Sequence, residues 1–172
     1  MKWLVVLIVT ITLASCGATV TVDYDKEIDF TQYKTYNYFQ DIESGLNNLD
    51  DNRIMFATDS LLLQKGFVKS ETPQLLINFF SKEFLSNSRN TIGIGIGGGG
   101  NVGFGVSGGI PIGGKVINQT LTIDFIDSDK DALIWQAVVN GELNEKANPQ
   151  QKEDYYFGII RKALKAFPPS KN

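Results

Sequence analysis

The sequence predicts an α+β domain: a two-layer sandwich of mainly antiparallel sheet, with two helices packed on one face and a Gly-rich hairpin insertion. Three observations predict it. Apolar and polar residues alternate in several separate segments, and two further segments carry their apolar residues on one helical face. Between two of the alternating segments, Thr91 to Gly114 holds twelve of the seventeen glycines and no charged side chain.

Val20, Val22 and Tyr24 alternate with Thr19, Thr21 and Asp23, the period-two pattern of a half-buried strand. The connection from Asp25 to Lys34 is polar apart from Ile28, Phe30 and Tyr33, which are expected to fold back onto the core. Thr35 to Phe39, rich in Tyr and Phe, reads as a second strand, and Ile42 to Leu49 as loop. A helix is expected from Asp51 to Lys65, with Asp50 as N-cap and Gly66 just past the end, where positive φ is needed. Its apolar stripe is Ile54, Ala57, Thr58, Leu61 and Leu62. Leu75 to Phe84, introduced by Pro73, is a long strand.

Val116 to Ile126 and Ala132 to Leu143 read as an antiparallel pair joined by the turn Asp127-Ser128-Asp129-Lys130-Asp131. Ile117, Leu121, Ile123 and Phe125 should share one face, and Leu133, Trp135, Ala137 and Val139 another, with Trp135 a core anchor. The last helix has the clearest boundaries. Asn148 caps, Pro149 suits the first helical position and Gln151 completes a capping box. Tyr156, Ile159, Ile160, Ala163 and Phe167 form its stripe, and Pro168-Pro169 ends it.

In the glycine tract, Ile92-Gly93-Ile94-Gly95-Ile96-Gly97 and Val102-Gly103-Phe104-Gly105-Val106 alternate as two extended arms about the hinge Gly98-Gly99-Gly100-Asn101. Helix is unfavourable there, because each Gly costs roughly 1 kcal/mol against Ala. The arms read either as a weakly ordered hairpin or as a docking edge. As a docking edge, they would present Ile92, Ile94, Ile96, Val102, Phe104 and Val106 to a partner strand or to lipid. Gly93 to Gly98 formally matches a nucleotide-binding fingerprint, but it opens no helix in a βαβ unit.

The N-terminus reads as a targeting segment. Lys2 precedes the apolar run Trp3 to Thr12, which is shorter than the roughly 20 residues a membrane span needs. Leu13-Ala14-Ser15-Cys16 then resembles a lipobox, with the chain's single cysteine at the cut. The expected mature chain is a single α+β domain of residues 16–172, with the Gly-rich insertion at 91–114 and the signal peptide 1–15 removed. Two or three acyl chains on Cys16 hold a protein firmly, where one does not. Gly17, standing where Asp would signal inner-membrane retention, favours the outer membrane. The lack of an acidic or Lys-rich patch after Cys16 favours a periplasm-facing domain.

The chain contains no histidine, which removes Ser-His-Asp and Cys-His nucleophile systems and His-based zinc sites. Net charge is −3 without a basic cluster, so no nucleic-acid partner is expected. No cofactor or metal is expected either. Asp127, Asp129 and Asp131 begin like a calcium loop, but Ala132 stands where Gly is required and Val138 where Glu is required. The acidic run Asp23, Asp25, Glu27 and Asp29 reads as a charged strand end. Tyr33, Tyr36, Tyr38, Tyr155 and Tyr156 could line a pocket or finish the edge of the core.

Asp23 to Phe39 (DYDKEIDFTQYKTYNYF), the segment DDNRIMFATDSLLLQKGF ending at Phe67, LTIDFIDSDKDALIWQA and KALKAFPP together resemble domain-of-unknown-function 4136, a family of bacterial envelope lipoproteins. The resemblance covers nearly the whole mature chain and implies an envelope location and an α+β fold. It implies no catalytic residues. Such domains usually have an acidic residue after the proline before the third strand; here Gln74 follows Pro73. The resulting expectation is a non-catalytic, lipid-anchored domain working through contacts with an envelope protein. The alternative is a small-ligand or lipid carrier with an apolar pocket between helices and sheet.

Overall fold

A computed structural model describes residues 18–87, 91–92, 110–111 and 114–169. In chain order the elements are β1 (Thr19–Tyr24), a 3-10 turn (Phe30–Gln32), β2 (Thr35–Tyr38), α1 (Asn48–Gln64), β3 (Val68–Lys69) and β4 (Leu75–Asn87). There follow β5 (Thr91–Ile92), β6 (Ile110–Pro111), β7 (Lys115–Asp127), β8 (Ala132–Asn144), α2 (Pro149–Ala163) and a closing 3-10 turn (Leu164–Ala166). The result is a mixed α+β structure with two helices and a six-stranded sheet in the order β1-β8-β7-β4-β2-β3.

Strand register explains the core. Leu75, Ile77 and Phe79 of β4 stand level with Asp127, Phe125 and Ile123 of β7. Phe125, Ile123 and Leu121 are in turn level with Trp135, Ala137 and Val139 of β8. Tyr24, Val22 and Val20 of β1 continue the same rows at the edge. Alternation places the apolar side chains of these rows on one face, where they join Ile54, Ala57, Leu61 and Leu62 of α1 and Tyr156, Ile159, Ile160 and Ala163 of α2 in one hydrophobic cluster. Each such Leu, Ile or Phe side chain contributes roughly 1.5–3 kcal/mol by burial. Phe167 seals one end, its ring 4.5 Å from Phe125, 5.2 Å from Trp135 and 6.0 Å from Phe30 between centroids. Phe30 and Tyr33 are buried, so the connection after β1 does fold back.

Four details differ from the sequence reading. The N-cap of α1 is Asn47, whose side chain accepts from Leu49 N and Asp50 N; Asp50 lies inside the first turn and is buried. An Asx side chain caps only from outside the helix, and with both Asn47 and Asp50 available the local pattern admits either. β4, β7 and β8 each reach thirteen residues, longer than the apolar alternation indicates. A bulge between Phe125 and Ile126 sets Ile126 against Leu133 and Phe125 against Trp135, leaving Ile134 without an opposite number. Ile134 is consequently buried, while Leu133 is 52% exposed instead of facing the core. Finally, β2 pairs in parallel with both β3 and β4, although the sheet is otherwise antiparallel.

Gly66 has φ +84 one residue past the C-cap Lys65, as its position predicts. The capping box of α2 is also present: Asn148 accepts from Gln151 N at 2.9 Å and Gln151 Oε1 accepts from Asn148 N at 2.9 Å. β5 and β6 pair antiparallel as a separate two-stranded sheet, with Thr91 level with Pro111 and Ile92 with Ile110.

Candidate functional site

The helical side of the molecule carries a second apolar surface. In α1, Leu49, Phe56 and Leu63 repeat at a seven-residue spacing that keeps them on one face, apart from the buried stripe. They are 67%, 70% and 67% exposed. Beside them, α2 presents Phe157, and a groove of about 550 Å³ runs between the helices, lined by Leu49, Phe56, Ala57 and Phe157 and rimmed by Arg53, Glu153 and Asp154. The sequence held the signal, a helix with two apolar stripes. Reading only the stripe that builds the core left this one unassigned.

Beneath the groove, the two helices are joined by charge. Asp50 Oδ1 accepts from Arg53 Nη1 at 2.7 Å, and its Oδ2 from Lys152 Nζ at 3.0 Å and Asn47 Nδ2 at 2.7 Å. Burial by itself would raise the Asp50 carboxyl, but the hydrogen bonds from Lys152, Asn47 and Arg53 hold it below the usual carboxylate range. A second polar chain ties α2 to the sheet. Gln119 Nε2 donates to Glu83 Oε1 at 2.6 Å and to Tyr156 Oη at 3.2 Å, and Tyr155 Oη donates to Gln119 Oε1 at 3.2 Å. This contact needs Gly141: a Cβ there would lie 2.6 Å from Tyr155 Oη.

Of the five tyrosines, Tyr38 borders an open pocket of about 440 Å³ beside Asn37, Phe39 and Leu76, and the hydroxyls are engaged in packing contacts. Tyr36 and Tyr38 both donate to Asp59 Oδ1, at 2.9 and 2.7 Å, clasping α1 to the sheet, while Lys69 Nζ sits 4.6 Å from the centre of the Tyr38 ring. Burial, together with the Asp59 carboxylate, pushes both phenols far above their ordinary value, so neither is poised to ionise. Tyr33, raised to about 12 by burial and by Asp127, donates to Asp127 Oδ2 at 2.7 Å. Asp127 also accepts from the backbone N–H groups of Asp129 and Lys130, which makes it the keystone of the β7–β8 turn. Burial opposes its charge, and the Tyr33 hydroxyl and these N–H groups outweigh burial, keeping its pKa low.

The Asp127–Asp131 segment is thus a turn, and among the described residues no group of three or more His, Cys, Asp or Glu is placed to hold a metal ion. In the acidic run, Asp29 Oδ1 caps the 3-10 turn through Thr31 N, and Asp25 Oδ1 accepts from Glu27 N. Gln74, where the resemblance implies an acid, accepts from Lys34 N and Thr35 N and donates to the Gln32 carbonyl. An ionised carboxylate has no donor for that last bond.

Between helices and sheet the space is occupied by Trp135, Phe125, Phe167, Phe67 and Tyr156, each at most 3% exposed. The indole N–H of Trp135 finds no acceptor among the described residues. No helix among the described residues is long and apolar enough to cross a membrane. Cys16 and the docking residues Ile94, Ile96, Val102, Phe104 and Val106 lie outside the described residues, and Ile92 is described only as backbone in β5.

A six-stranded sheet of this strand order with two helices defines the class, a mixed α+β domain. The chain belongs to the family described as Domain of unknown function (DUF4136), which matches it over residues 20–169. In fold it is similar to a PDZ domain protein from Parabacteroides distasonis, at 18% identity and a TM-score of 0.55, covering 99% of this chain and 41% of that one. It is also similar in fold to the PelC dodecamer from Paraburkholderia phytofirmans, at 13% identity and a TM-score of 0.51, covering 86% of this chain and 94% of that one. The chain therefore spans less than half the length of the PDZ domain protein. No curated protein matches its sequence.

Proposed function

We propose that this is a non-catalytic two-layer α+β domain, anchored by lipid on Cys16 to the periplasmic face of the outer membrane, that acts through protein contacts in envelope upkeep or assembly. The exposed stripe Leu49–Phe56–Leu63 beside Phe157 carries the reading: large apolar side chains rimmed by polar ones mark a contact surface. The Leu13-Ala14-Ser15-Cys16 sequence supports the anchor.

The non-catalytic reading is supported by chemistry already committed elsewhere. The buried carboxylates Asp50 and Asp127 are bound up in packing contacts, and the chain has no histidine. A carrier cavity between helices and sheet has no support in a space filled by aromatic rings. For the partner, a second copy of this chain is the first to test, since a protein of similar fold forms a dodecamer. The glycine tract, with Ile92, Ile94, Ile96, Val102, Phe104 and Val106, is proposed as an additional docking hairpin.

The test is in-cell crosslinking from a photoreactive residue at position 56, in strains carrying Cys16 or Cys16→Ala. The expected result is a discrete adduct that Leu49→Glu abolishes, with the Cys16→Ala protein recovered in the soluble fraction. Absence of any adduct overturns the contact surface, and Cys16→Ala protein that stays membrane-bound overturns the anchor.

A further inference from the structure

Position in the sheet links the anchor to one end of the molecule. β1 begins at Thr19, which stands level with Asn140 of β8; Asn140 is level with Thr120 of β7, and Thr120 with Lys82 of β4. Beyond that row β1 is absent. The ribbon continues: β4 runs five residues further, to Asn87, and β7 starts five residues earlier, at Lys115. At about 3.3 Å per residue the ribbon overshoots the start of β1 by about 16 Å.

Cys16 precedes Thr19 by three residues, a leash of at most about 11 Å when fully extended. An anchor on a leash shorter than the overshoot brings the ribbon end to the bilayer before the leash is taut. The side chains at that end suit the encounter. Phe84 and Leu85 are 61% and 50% exposed, and as successive strand residues they point to opposite faces of the ribbon. Among the described residues around them Lys82, Glu83, Lys115, Glu142, Glu145 and Lys146 are exposed, three cations against three anions, so apolar insertion is taken to drive the contact.

We infer that the distal end of the β4–β7 ribbon, through Phe84 and Leu85, is a membrane-contact surface that dips into the lipid interface and fixes the orientation of the domain on the bilayer. The inference rests on acylation at Cys16. With that orientation the β7–β8 turn and Leu133 point away from lipid, seven residues of β8 beyond the Asn140 row.

The experiment uses the full acylated protein in vesicles of phosphatidylethanolamine and phosphatidylglycerol containing a nitroxide-labelled lipid. Phe84→Cys and Leu133→Cys each introduce the one reactive thiol, because Cys16 is blocked, and each is labelled with an environment-sensitive fluorophore. Severalfold stronger quenching at position 84 than at position 133, with blue-shifted emission, is expected. Equal quenching at the two positions in vesicle-bound protein overturns the orientation and leaves the anchor standing. A blue shift at 84 without quenching means that protein covers it, and likewise overturns the inference. Failure of the acylated chain to float with vesicles overturns the anchor and the inference together.

Discussion

Gly141 shows how much one missing methyl group decides. The Tyr155 ring lies against the β8 backbone in space that any Cβ at position 141 would occupy, and its hydroxyl meets Gln119 there. Gly141→Ala is expected to destabilise the domain by about 1–3 kcal/mol through overpacking. In a Tyr155→Ala background the same change should cost far less, so chemical denaturation of the four proteins of the cycle measures the coupling directly. Asp124 makes the opposite point. It sits half-buried on the open face of the sheet with one hydrogen bond, from Gln136 Nε2 at 2.7 Å, and burial raises its pKa despite that bond. None of this is legible from sequence, where Asp124 is one polar residue in an alternating strand.

At the scale of elements, the two helices differ in how they are specified. The boundaries of α2 follow from local chemistry, since Asn148, Pro149 and Gln151 satisfy the first-turn donors wherever the helix packs. The start of α1 does not, because Asp50 is drawn inward to bind Lys152 from α2, 102 residues later in the chain. This pair makes the packing of α1 on α2 pH-dependent. The folded-state pKa of Asp50 is depressed, so its stabilisation is present above the unfolded value near 4 and is lost as pH falls through the lower folded value. Asp50→Asn should therefore reduce stability by about 1–3 kcal/mol at pH 7, by leaving Lys152 and Arg53 without their anion. The deficit should vanish in unfolding curves measured well below pH 4. A constant deficit at every pH would assign the effect to packing instead.

At the scale of the whole molecule, the β4–β7–β8 ribbon is the spine. It sets the core face and reaches past the start of β1. Because β5 and β6 pair Ile92 with Ile110, replacing residues 93–109 by Asn-Gly leaves that pair ready to close a two-residue hairpin. The shortened protein should unfold cooperatively with a Tm no lower than the parent, since a shorter loop loses less entropy on closing, roughly 0.6 kcal/mol per halving of length. A collapsed Tm would show that the tract supports the core. In the same variant, crosslinking from position 56 should persist if the α1–α2 groove is the principal contact surface.

What the amino-acid order alone determined was carried by short-range periodicity and by the caps of α2: the α+β class, both core stripes, the turn at Asp127, the limits of α2 and the burial of Trp135. These are legible because alternation and helical spacing act within a few residues. The long-range arrangement was not. The parallel pairing of β2, the bulge that turns Leu133 outward, the capture of Asp50 by Lys152 and the second apolar stripe of α1 left uncovered all depend on which distant segment arrives as neighbour. Only the folded chain sets those neighbours, because the free energy that decides them resides in contacts between residues far apart in sequence.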